Sequence, residues 1–246
     1  MIEPSVYERM IDYASLTRDD TVLDVGAGLG FLTSLMANKC KTVLAVEADT
    51  QLATILSEQL AGTPNVKIVQ DDILKADVPP FNKIVSTPPY SISSRLLLWI
   101  LQRNFDCAVL VFQKEFANRL AASVGNQDYG WLSILTYYYA EVEVLDDVPK
   151  WMFYPPPKVD SVITRLTPKK SQLNRLKSEA AFKRLVQTLF TERNKKARSA
   201  ILQYMKASQG LSKPDALKIV GSLPFLEKRV RELAPEDFGV LADALL

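Results

Sequence analysis

The chain has 246 residues, 48% of them hydrophobic, and a formal net charge of +2 at pH 7. This length allows a sizeable core, in one large domain or in a main domain with a smaller one. Histidine is absent and the two cysteines, Cys40 and Cys107, stand alone, which excludes Ser-His-Asp and Cys-His catalysis. We predict no metal site and no disulfide framework.

The sequence contains no apolar run near the ~20 residues that a membrane-spanning helix needs. The N-terminal residues Met1-Ile2-Glu3-Pro4 lack the basic and apolar regions of a signal peptide. We therefore expect a cytoplasmic protein with no membrane partner, and we expect a monomer.

The charges are unevenly distributed along the chain. Residues 168–231 hold 16 Lys and Arg against 4 Asp and Glu, whereas residues 1–167 hold 14 against 20. A near-neutral total thus hides a strongly basic block. Such a block predicts a polyanionic partner.

The first two thirds of the chain alternate between apolar strand patterns and helical periodicity. The predicted strands are residues 21–25, 42–46, 66–70, 83–86 and 108–113, and the predicted helices are residues 4–16, 31–38, 50–61, 93–101 and 114–122. Two β-rich stretches, 132–145 and 159–166, follow. This order predicts an α/β fold with a doubly wound, mainly parallel sheet and an antiparallel end. We expect the first helix to cover one edge of the sheet.

Beyond residue 168 the sequence becomes rich in Lys and Arg and keeps helical periodicity to its end. Helices are predicted at 182–190, 197–205, 214–220 and 235–245. We therefore predict two domains, residues 1–168 and a smaller, all-helical domain of residues 169–246.

A glycine-rich turn follows the first strand. Asp24 ends the apolar run, and Gly26, Gly28 and Gly30 follow at a spacing that differs from the Gly-x-Gly-x-x-Gly dinucleotide motif. Glu47 ends the second strand about 20 residues later, where an acid can accept hydrogen bonds from ribose hydroxyls. The alternative for each acid is a solvated residue at a strand end.

Two further positions fit a bound adenosine. Asp72 follows the third strand and is placed to accept from an adenine amino group, and Ile73 can pack on the purine face. Together with the glycine turn, they predict a nucleoside-containing ligand at the carboxyl edge of the sheet.

The fourth strand ends in Thr87-Pro88-Pro89-Tyr90. Prolines cannot donate to a sheet ladder and fix φ, so this loop is rigid and presents Tyr90 at the edge where ligands bind. The alternative is a stiff turn without chemistry. With the glycine turn and the strand-end acids, the layout resembles S-adenosylmethionine-dependent methyltransferases that modify amino nitrogens.

This resemblance implies a mechanism that needs no histidine. An aromatic amine is a poor nucleophile, and the Thr87 oxygen and the Pro88 carbonyl would accept its amino hydrogens. Tyr90 would stack on an extruded base. Because the methyl donor already carries a good leaving group, catalysis can be mostly positioning, for which oriented approach supplies ~7–11 kcal/mol.

Three further segments narrow the resemblance. Residues 112–120, 129–133 and 153–162, the last reading Phe-Tyr-Pro-Pro-Pro-Lys-Val-Asp-Ser-Val, are closely similar in order and spacing to the ribosomal RNA adenine N6,N6-dimethyltransferase family. The resemblance covers nearly the whole chain, and residues 190–202 and 233–241 match the family's C-terminal helical domain more loosely. It implies a Rossmann-like methyltransferase sheet.

The resemblance also implies roles for particular residues. S-adenosylmethionine would be held by Asp24, Gly26, Gly28, Gly30, Glu47, Ala48, Asp72, Ile73 and Thr87. The catalytic set would be Thr87, Pro88, Pro89, Tyr90 and Phe153, with the target adenine between Tyr90 and Phe153. The substrate would be two adjacent adenines in a hairpin near the 3′ end of small-subunit ribosomal RNA, within an immature small subunit. We expect Lys195, Lys196 and Arg198 to meet phosphates from one exposed helical face.

Two departures leave alternatives open. Family members usually have Asn where this chain has Thr87, and their Gly-Gln-x-Phe-Leu segment has no counterpart, either because the sequence is shortened or because this member has a more open pocket. One rival is a methyltransferase acting on a DNA or protein nitrogen. Another is a ribosome-assembly or transcription factor that uses the scaffold with little catalysis.

Overall fold

The computed structural model describes residues 3–169, 176–209 and 212–246. The strands are β1 Thr21–Val25, β2 Thr42–Glu47, β3 Val66–Gln70, β4 Lys83–Ser86, β5 Cys107–Gln113, β6 Ala140–Val148 and β7 Ser161–Pro168. The α-helices are α1 Pro4–Ala14, α2 Phe31–Ala37, α3 Thr50–Gln59, α4 Ser93–Ile100, α5 Lys114–Ala121, α6 Trp131–Tyr139, α7 Glu179–Phe190, α8 Ala197–Gln209, α9 Lys213–Gly221 and α10 Pro235–Ala244.

The described strands form one sheet in the order β3-β2-β1-β4-β5-β7-β6. β3, β2, β1, β4 and β5 run parallel to one another, and β7 is antiparallel to β5. The central strands are continuous apolar runs, such as 107–113, because helices bury them on both faces. The predicted doubly wound sheet with an antiparallel end is confirmed.

The first helix lies on a face of the sheet, and the prediction that it covers an edge is wrong. α1 contacts β4, β5 and β7. Its apolar stripe includes Val6 and Met10, each 0% exposed, and packs in one core cluster with Val85 and Val109. An apolar stripe removes more surface from water on the face of a sheet than along its edge strand, so packing on the face stabilises this helix more.

The chain divides into two compact units, each built from two segments. Unit 1 comprises Met1–Ala117 and Glu141–Pro168, and unit 2 comprises Asn118–Ala140 and Lys169–Leu246. The chain passes between the two units three times, and the last of these passages, from Pro168 to Lys169, coincides with the predicted boundary. Residues 118–140 differ from the prediction because they pack with the C-terminal helices rather than with the sheet.

The first segment of unit 2, residues 118–140, contains a helix where the sequence predicted β-structure. Residues 132–139 belong to α6, and the β-strand begins only at Ala140. The hydroxyls of Ser133 and Thr136 donate to the backbone oxygens of Arg119 and Leu120. Tyr138 packs against Phe182 of α7, with ring centroids 4.6 Å apart. Packing against α5 and α7 thus overrides the β propensity of this aromatic stretch.

Among the described residues, no helix has both the length and the apolar character needed to span a bilayer.

Candidate active site

Most of the predicted site residues of unit 1 follow the carboxyl ends of β1, β2, β3 and β4. β1 and β4 are neighbours in the sheet, and the chain leaves them in opposite directions, towards β2 and β5. This switch point opens a crevice at the edge of a doubly wound sheet. The glycine turn enters the crevice from β1, and the loop of Thr87 to Tyr90 enters it from β4.

The glycine turn and the proline loop are in direct contact. Gly26 has φ +69°, and a Cβ added to it would lie 2.8 Å from Cδ of Pro89. Gly28 has φ +57°, yet no atom lies closer than 3.9 Å to its added Cβ. Gly26 is therefore required both by its backbone conformation and by the approach of the loop, and Gly28 leaves open space above the turn.

Gly30 has a different role. Its φ is +80°, and an added Cβ would lie 2.5 Å from Cδ1 of Leu56 in α3. This glycine is buried. It lets α2 begin close to α3, and so it fixes the direction of the helix that follows the turn.

Asp24 lies beneath the glycine turn rather than on its surface. It is 1% exposed, and its carboxylate accepts a hydrogen bond of 2.7 Å from the Thr33 hydroxyl of α2. Burial raises the pKa of Asp24 to about 7, against the lowering effect of Thr33, and the charge of Glu47 adds to the rise. In this position Asp24 supports the turn by joining β1 to α2.

Glu47 closes the other side of the turn. Its Oε2 accepts from the backbone N–H of Gly28 at 2.8 Å, and its Oε1 accepts from Asp49 N–H at 2.9 Å. Each carboxylate oxygen can accept a further hydrogen bond. The carboxylate therefore orients the turn and still has capacity for two hydroxyl donors.

The remaining predicted cofactor positions surround this acid. Ala48, the next residue, is exposed. Asp72 is half-buried, and its Oδ1 accepts from Leu74 N–H at 3.0 Å, which fixes its carboxylate in the turn after β3. Ile73 is 3% exposed.

Ser86, which the sequence reasoning did not single out, holds the two strands together at the site. Its hydroxyl donates to the Val25 carbonyl at 2.7 Å and accepts from the Val25 N–H at 3.1 Å. This buried hydroxyl joins β1 to β4 just before the glycine turn and the proline loop diverge. The sequence did contain a sign of this role, because Ser86 is a polar residue at the end of the apolar strand β4.

Thr87 and Pro88 follow at the mouth of the crevice. Thr87 is half-buried, and its hydroxyl makes no hydrogen bond to any residue that the structure describes. Pro88 is buried and Pro89 is exposed. The loop therefore presents one side-chain oxygen that is free to accept a hydrogen bond from a ligand.

Two aromatic side chains meet beside this loop. The Tyr90 hydroxyl is hydrogen-bonded to Oγ of Ser161, a buried residue of β7 that sequence reasoning also missed, at 2.5 Å. The rings of Tyr90 and Phe153 lie with centroids 6.4 Å apart and an interplanar angle of 65°. The structure thus brings together two residues that are 63 positions apart, in an edge-to-face contact. Burial raises the pKa of Tyr90, and the Ser161 hydrogen bond opposes this rise.

The predicted phosphate contacts do not share a helical face. Lys195 and Lys196 lie in the turn before α8, and Arg198 lies in the first turn of that helix. Lys195 pairs with Glu192 at 3.0 Å, and Lys196 pairs with Glu227 at 2.5 Å. Both lysine charges are thus compensated locally.

The turn containing these lysines is half of a wider basic structure, which we call the basic clasp. In it, residues 193–198 pair with residues 226–231, for example through Ala197 N–H to the Lys228 carbonyl at 2.8 Å and Val230 N–H to the Lys195 carbonyl at 3.0 Å. Arg198 and Arg231 are exposed, and neither forms a salt bridge or side-chain hydrogen bond with a described residue. These two arginines are the cations of the clasp most available to a polyanion.

Comparisons with known proteins find relatives that match nearly the whole chain. Probable ribosomal RNA small subunit methyltransferase A of Methanosarcina acetivorans is 37% identical over 247 residues, which cover 100% of this chain and 90% of that protein. The protein of the same name from Thermococcus gammatolerans is 38% identical over 240 residues, covering 96% of this chain and 83% of that protein.

Two crystal structures are similar over nearly the whole chain. A dimethyladenosine transferase from Plasmodium falciparum superposes with a TM-score of 0.83 at 28% identity, covering 98% of this chain and 95% of that one. The 23S rRNA methyltransferase ErmE superposes with a TM-score of 0.68 at 28% identity, covering 99% and 98%. The predicted Rossmann-like methyltransferase fold is confirmed.

The family model described as "Ribosomal RNA adenine dimethylase" matches residues 1–225. The match and the curated relatives confirm the predicted enzyme class, and the chain belongs to the ribosomal RNA adenine dimethylase family.

Proposed function

We propose that the protein uses S-adenosylmethionine to dimethylate N6 of two adjacent adenines in a hairpin near the 3′ end of small-subunit ribosomal RNA. The observation that carries this proposal is the contact between the glycine turn and the proline loop, where Gly26 leaves room for Pro89. The contact puts the glycine turn, which we propose binds the nucleoside, beside a loop with a free side-chain acceptor. Family membership supplies the reaction class.

The residues present fit the proposed cofactor. The second lone pairs of the Glu47 carboxylate match two ribose hydroxyls, and the open space above Gly28 admits a ligand close to the backbone. Asp72 and Ile73 form the side of the crevice suited to an adenine ring. When bound, S-adenosylmethionine supplies an electrophilic methyl group on a good leaving group. Asp24 and Gly30 act from beneath, by supporting the turn.

The proline loop orients the amino group of the target adenine. Thr87 Oγ1 and the Pro88 carbonyl accept the two amino hydrogens, which favours a pyramidal nitrogen with its lone pair directed at the methyl group. Tyr90 provides a fixed ring because Ser161 anchors its hydroxyl. Phe153 must turn from its edge-to-face contact to stack on the opposite face of the base. Catalysis then depends chiefly on positioning.

Unit 2 binds the RNA backbone in this proposal. Arg198 and Arg231 of the basic clasp contact phosphates, and the ion-paired lysines Lys195 and Lys196 contribute less. The partner is small-subunit ribosomal RNA within an immature subunit, the protein acts as a monomer, and the compartment is the cytoplasm.

The test is methyl transfer from tritiated S-adenosylmethionine to small ribosomal subunits that lack the modification, followed by nucleoside analysis. We expect N6,N6-dimethyladenosine at two adjacent positions. Glu47→Ala should weaken cofactor binding about 5- to 150-fold, equivalent to ~1–3 kcal/mol for a lost hydrogen-bond acceptor. Unmodified adenines after incubation with cofactor-loaded wild-type protein would contradict the proposal.

Two other substrates or roles are separated by the same assay when large ribosomal subunits are offered beside the small ones. The similarity to ErmE favours large-subunit RNA as a second candidate, and label in the large but not the small subunit would select it. Thr87, which replaces the family's usual Asn, favours an assembly role with little catalysis. Tight subunit binding with no methyl transfer would select that role.

A further inference from the structure

Phe153 belongs to a loop that carries two further aromatic side chains, both strongly exposed. Trp151 is 65% exposed and Tyr154 is 81% exposed, although both are large rings that proteins normally bury in part. Neither has a role in the site described above. Lys150 and Lys158 lie at either end of this segment, and both are exposed.

The exposure of these rings is built into an ordered loop. Lys150 N–H donates to the Asp160 carboxylate at 2.9 Å, and Asp160 in turn accepts through its backbone oxygen from Lys114 N–H at 3.0 Å. A 3-10 turn spans Lys150–Met152, and Phe153 N–H donates to the Lys150 carbonyl at 3.2 Å. The loop is thus closed at its base, and its backbone loses little freedom when a ligand binds.

The backbone directs Tyr154 away from the pocket that Phe153 lines. Phe153 has φ −118° and ψ 151°, an extended conformation in which successive side chains point to opposite sides. Phe153 packs towards Tyr90 and the core, so Tyr154 points to solvent. The two residues are neighbours in the chain, with Cα atoms about 3.8 Å apart. Tyr154 is therefore within reach of whatever lies next to a base held by Phe153.

We propose that Trp151 and Tyr154 form a stacking platform for the unpaired nucleotides that flank the target adenine. This inference rests on the proposed function. Aromatic rings stack on any base, and lysines beside them meet the adjoining phosphates. Lys150 and Lys158 form no salt bridge with a described residue, and two acids close to them in the chain have other partners, Asp160 the loop backbone and Asp147 Lys114. The patch is therefore aromatic and net positive, which fits single-stranded RNA.

A stacking platform would lower the free-energy cost of extruding a base. Removing an adenine from its stack leaves its neighbours with one exposed face each, and this loss opposes extrusion. A protein ring that covers such a face compensates for the lost stacking. Trp151 and Tyr154 would thus hold the splayed strand while the adenine is in the pocket.

The experiment measures binding of the RNA hairpin by each variant. Tyr154→Ala and Trp151→Ala should each bind about tenfold more weakly, whereas Tyr154→Phe and Trp151→Phe should stay close to wild type because a π face remains. Val144→Ala, at an exposed apolar position of β6, serves as the control and should bind as wild type does. Alanine variants that bind the hairpin as tightly as wild type would overturn the platform.

Two further measurements locate the contact. Of the three tryptophans, Trp151 is exposed, whereas Trp99 is 9% exposed and Trp131 is half-buried, so RNA should quench the wild-type fluorescence chiefly through Trp151, and Trp151→Phe should remove most of that quenching. An abasic site beside the target adenine should weaken wild-type binding about tenfold and should leave Tyr154→Ala unaffected. Equal losses for both proteins would place Tyr154 away from the flanking base and refute its part in the platform.

The outcomes separate this inference from the function on which it rests. If the wild-type protein transfers no methyl group, the proposed reaction is refuted. The platform still holds in that case if the alanine variants bind the hairpin more weakly as expected. Alanine variants that bind and methylate free RNA normally, and fail only on assembled subunits, would show a protein contact instead. That result would overturn the platform and leave the reaction.

Discussion

The pH dependence of stability tests whether Asp24 is buried and protonated beneath the glycine turn. The side chain is 1% exposed, and burial raises its pKa to about 7 from an ordinary value of 3.8. This difference corresponds to on the order of 4 kcal/mol in favour of the neutral carboxyl. In the unfolded chain Asp24 loses its proton near pH 4, whereas in the folded protein it keeps the proton until about pH 7. Folding therefore becomes less favourable as the pH rises between these values.

Asp24→Asn removes the ionisable group and keeps an oxygen that can accept from Thr33. Relative to wild type, the free energy of unfolding of this variant should rise by about 1.4 kcal/mol per pH unit between about pH 4 and 7 and then stay level. Urea titrations across this range measure the difference. Cofactor affinity should change little, because Asp24 supports the turn from beneath.

A second buried aspartate of the same unit supplies a control of opposite sign. Asp20 is 5% exposed, and although burial alone would raise its pKa, hydrogen bonds from Asn82, Thr17 and Lys83 lower it overall. Its contribution to stability is present above its unfolded pKa and is lost in acid, so Asp20→Asn should lose stability relative to wild type as the pH rises. A pH-independent difference for Asp24→Asn would refute the reasoning, because Asp24 would then be ionised in the folded protein.

Gly26→Ala should destabilise the protein more than Gly28→Ala in urea unfolding. Both have positive φ, which costs ~1–2 kcal/mol for alanine, but only the first methyl group would meet the proline loop, and equal losses would contradict that contact. Thr87→Val should slow methyl transfer tenfold or more, at least ~1.4 kcal/mol in the barrier, with an unchanged melting temperature. A wild-type rate would mean that the backbone carbonyl and proximity suffice. Arg198→Gln and Arg231→Gln should each reduce the slope of log K against log salt by about one unit in RNA titrations, and an equal effect from the ion-paired lysines would argue against this assignment.

The sheet of unit 1 was predictable because its strands are buried on both faces. Apolar runs such as 21–25 and 83–86 have no other stable environment in a chain of this size, and the turns between them contain glycine or proline. The strand ends then fixed where the acids and the proline loop would lie. The convergence of Gly26, Glu47 and Thr87 at one edge follows from these two facts alone.

What sequence reasoning missed depends on packing between distant segments. Residues 132–139 have high β propensity, and their helix exists because its hydroxyls and rings meet α5 and α7. Ser86 and Ser161 resemble ordinary strand residues, and only the folded chain shows that one joins β1 to β4 and the other anchors Tyr90. The compensation of Lys195 and Lys196 likewise depends on acids supplied elsewhere.

The division of unit 2 into two segments has a consequence during synthesis. Residues 118–140 leave the translating ribosome well before residues 169–246, which contain the helices that cover them. Until then Tyr138, which is buried in the finished protein and packs against Phe182 of α7, lacks that partner. A nascent chain paused after β7 therefore displays an apolar helix, which makes it a candidate client for chaperones. A truncated protein ending at residue 168 would expose the same apolar helix and be prone to aggregate, so we do not expect it to fold as an independent catalytic domain.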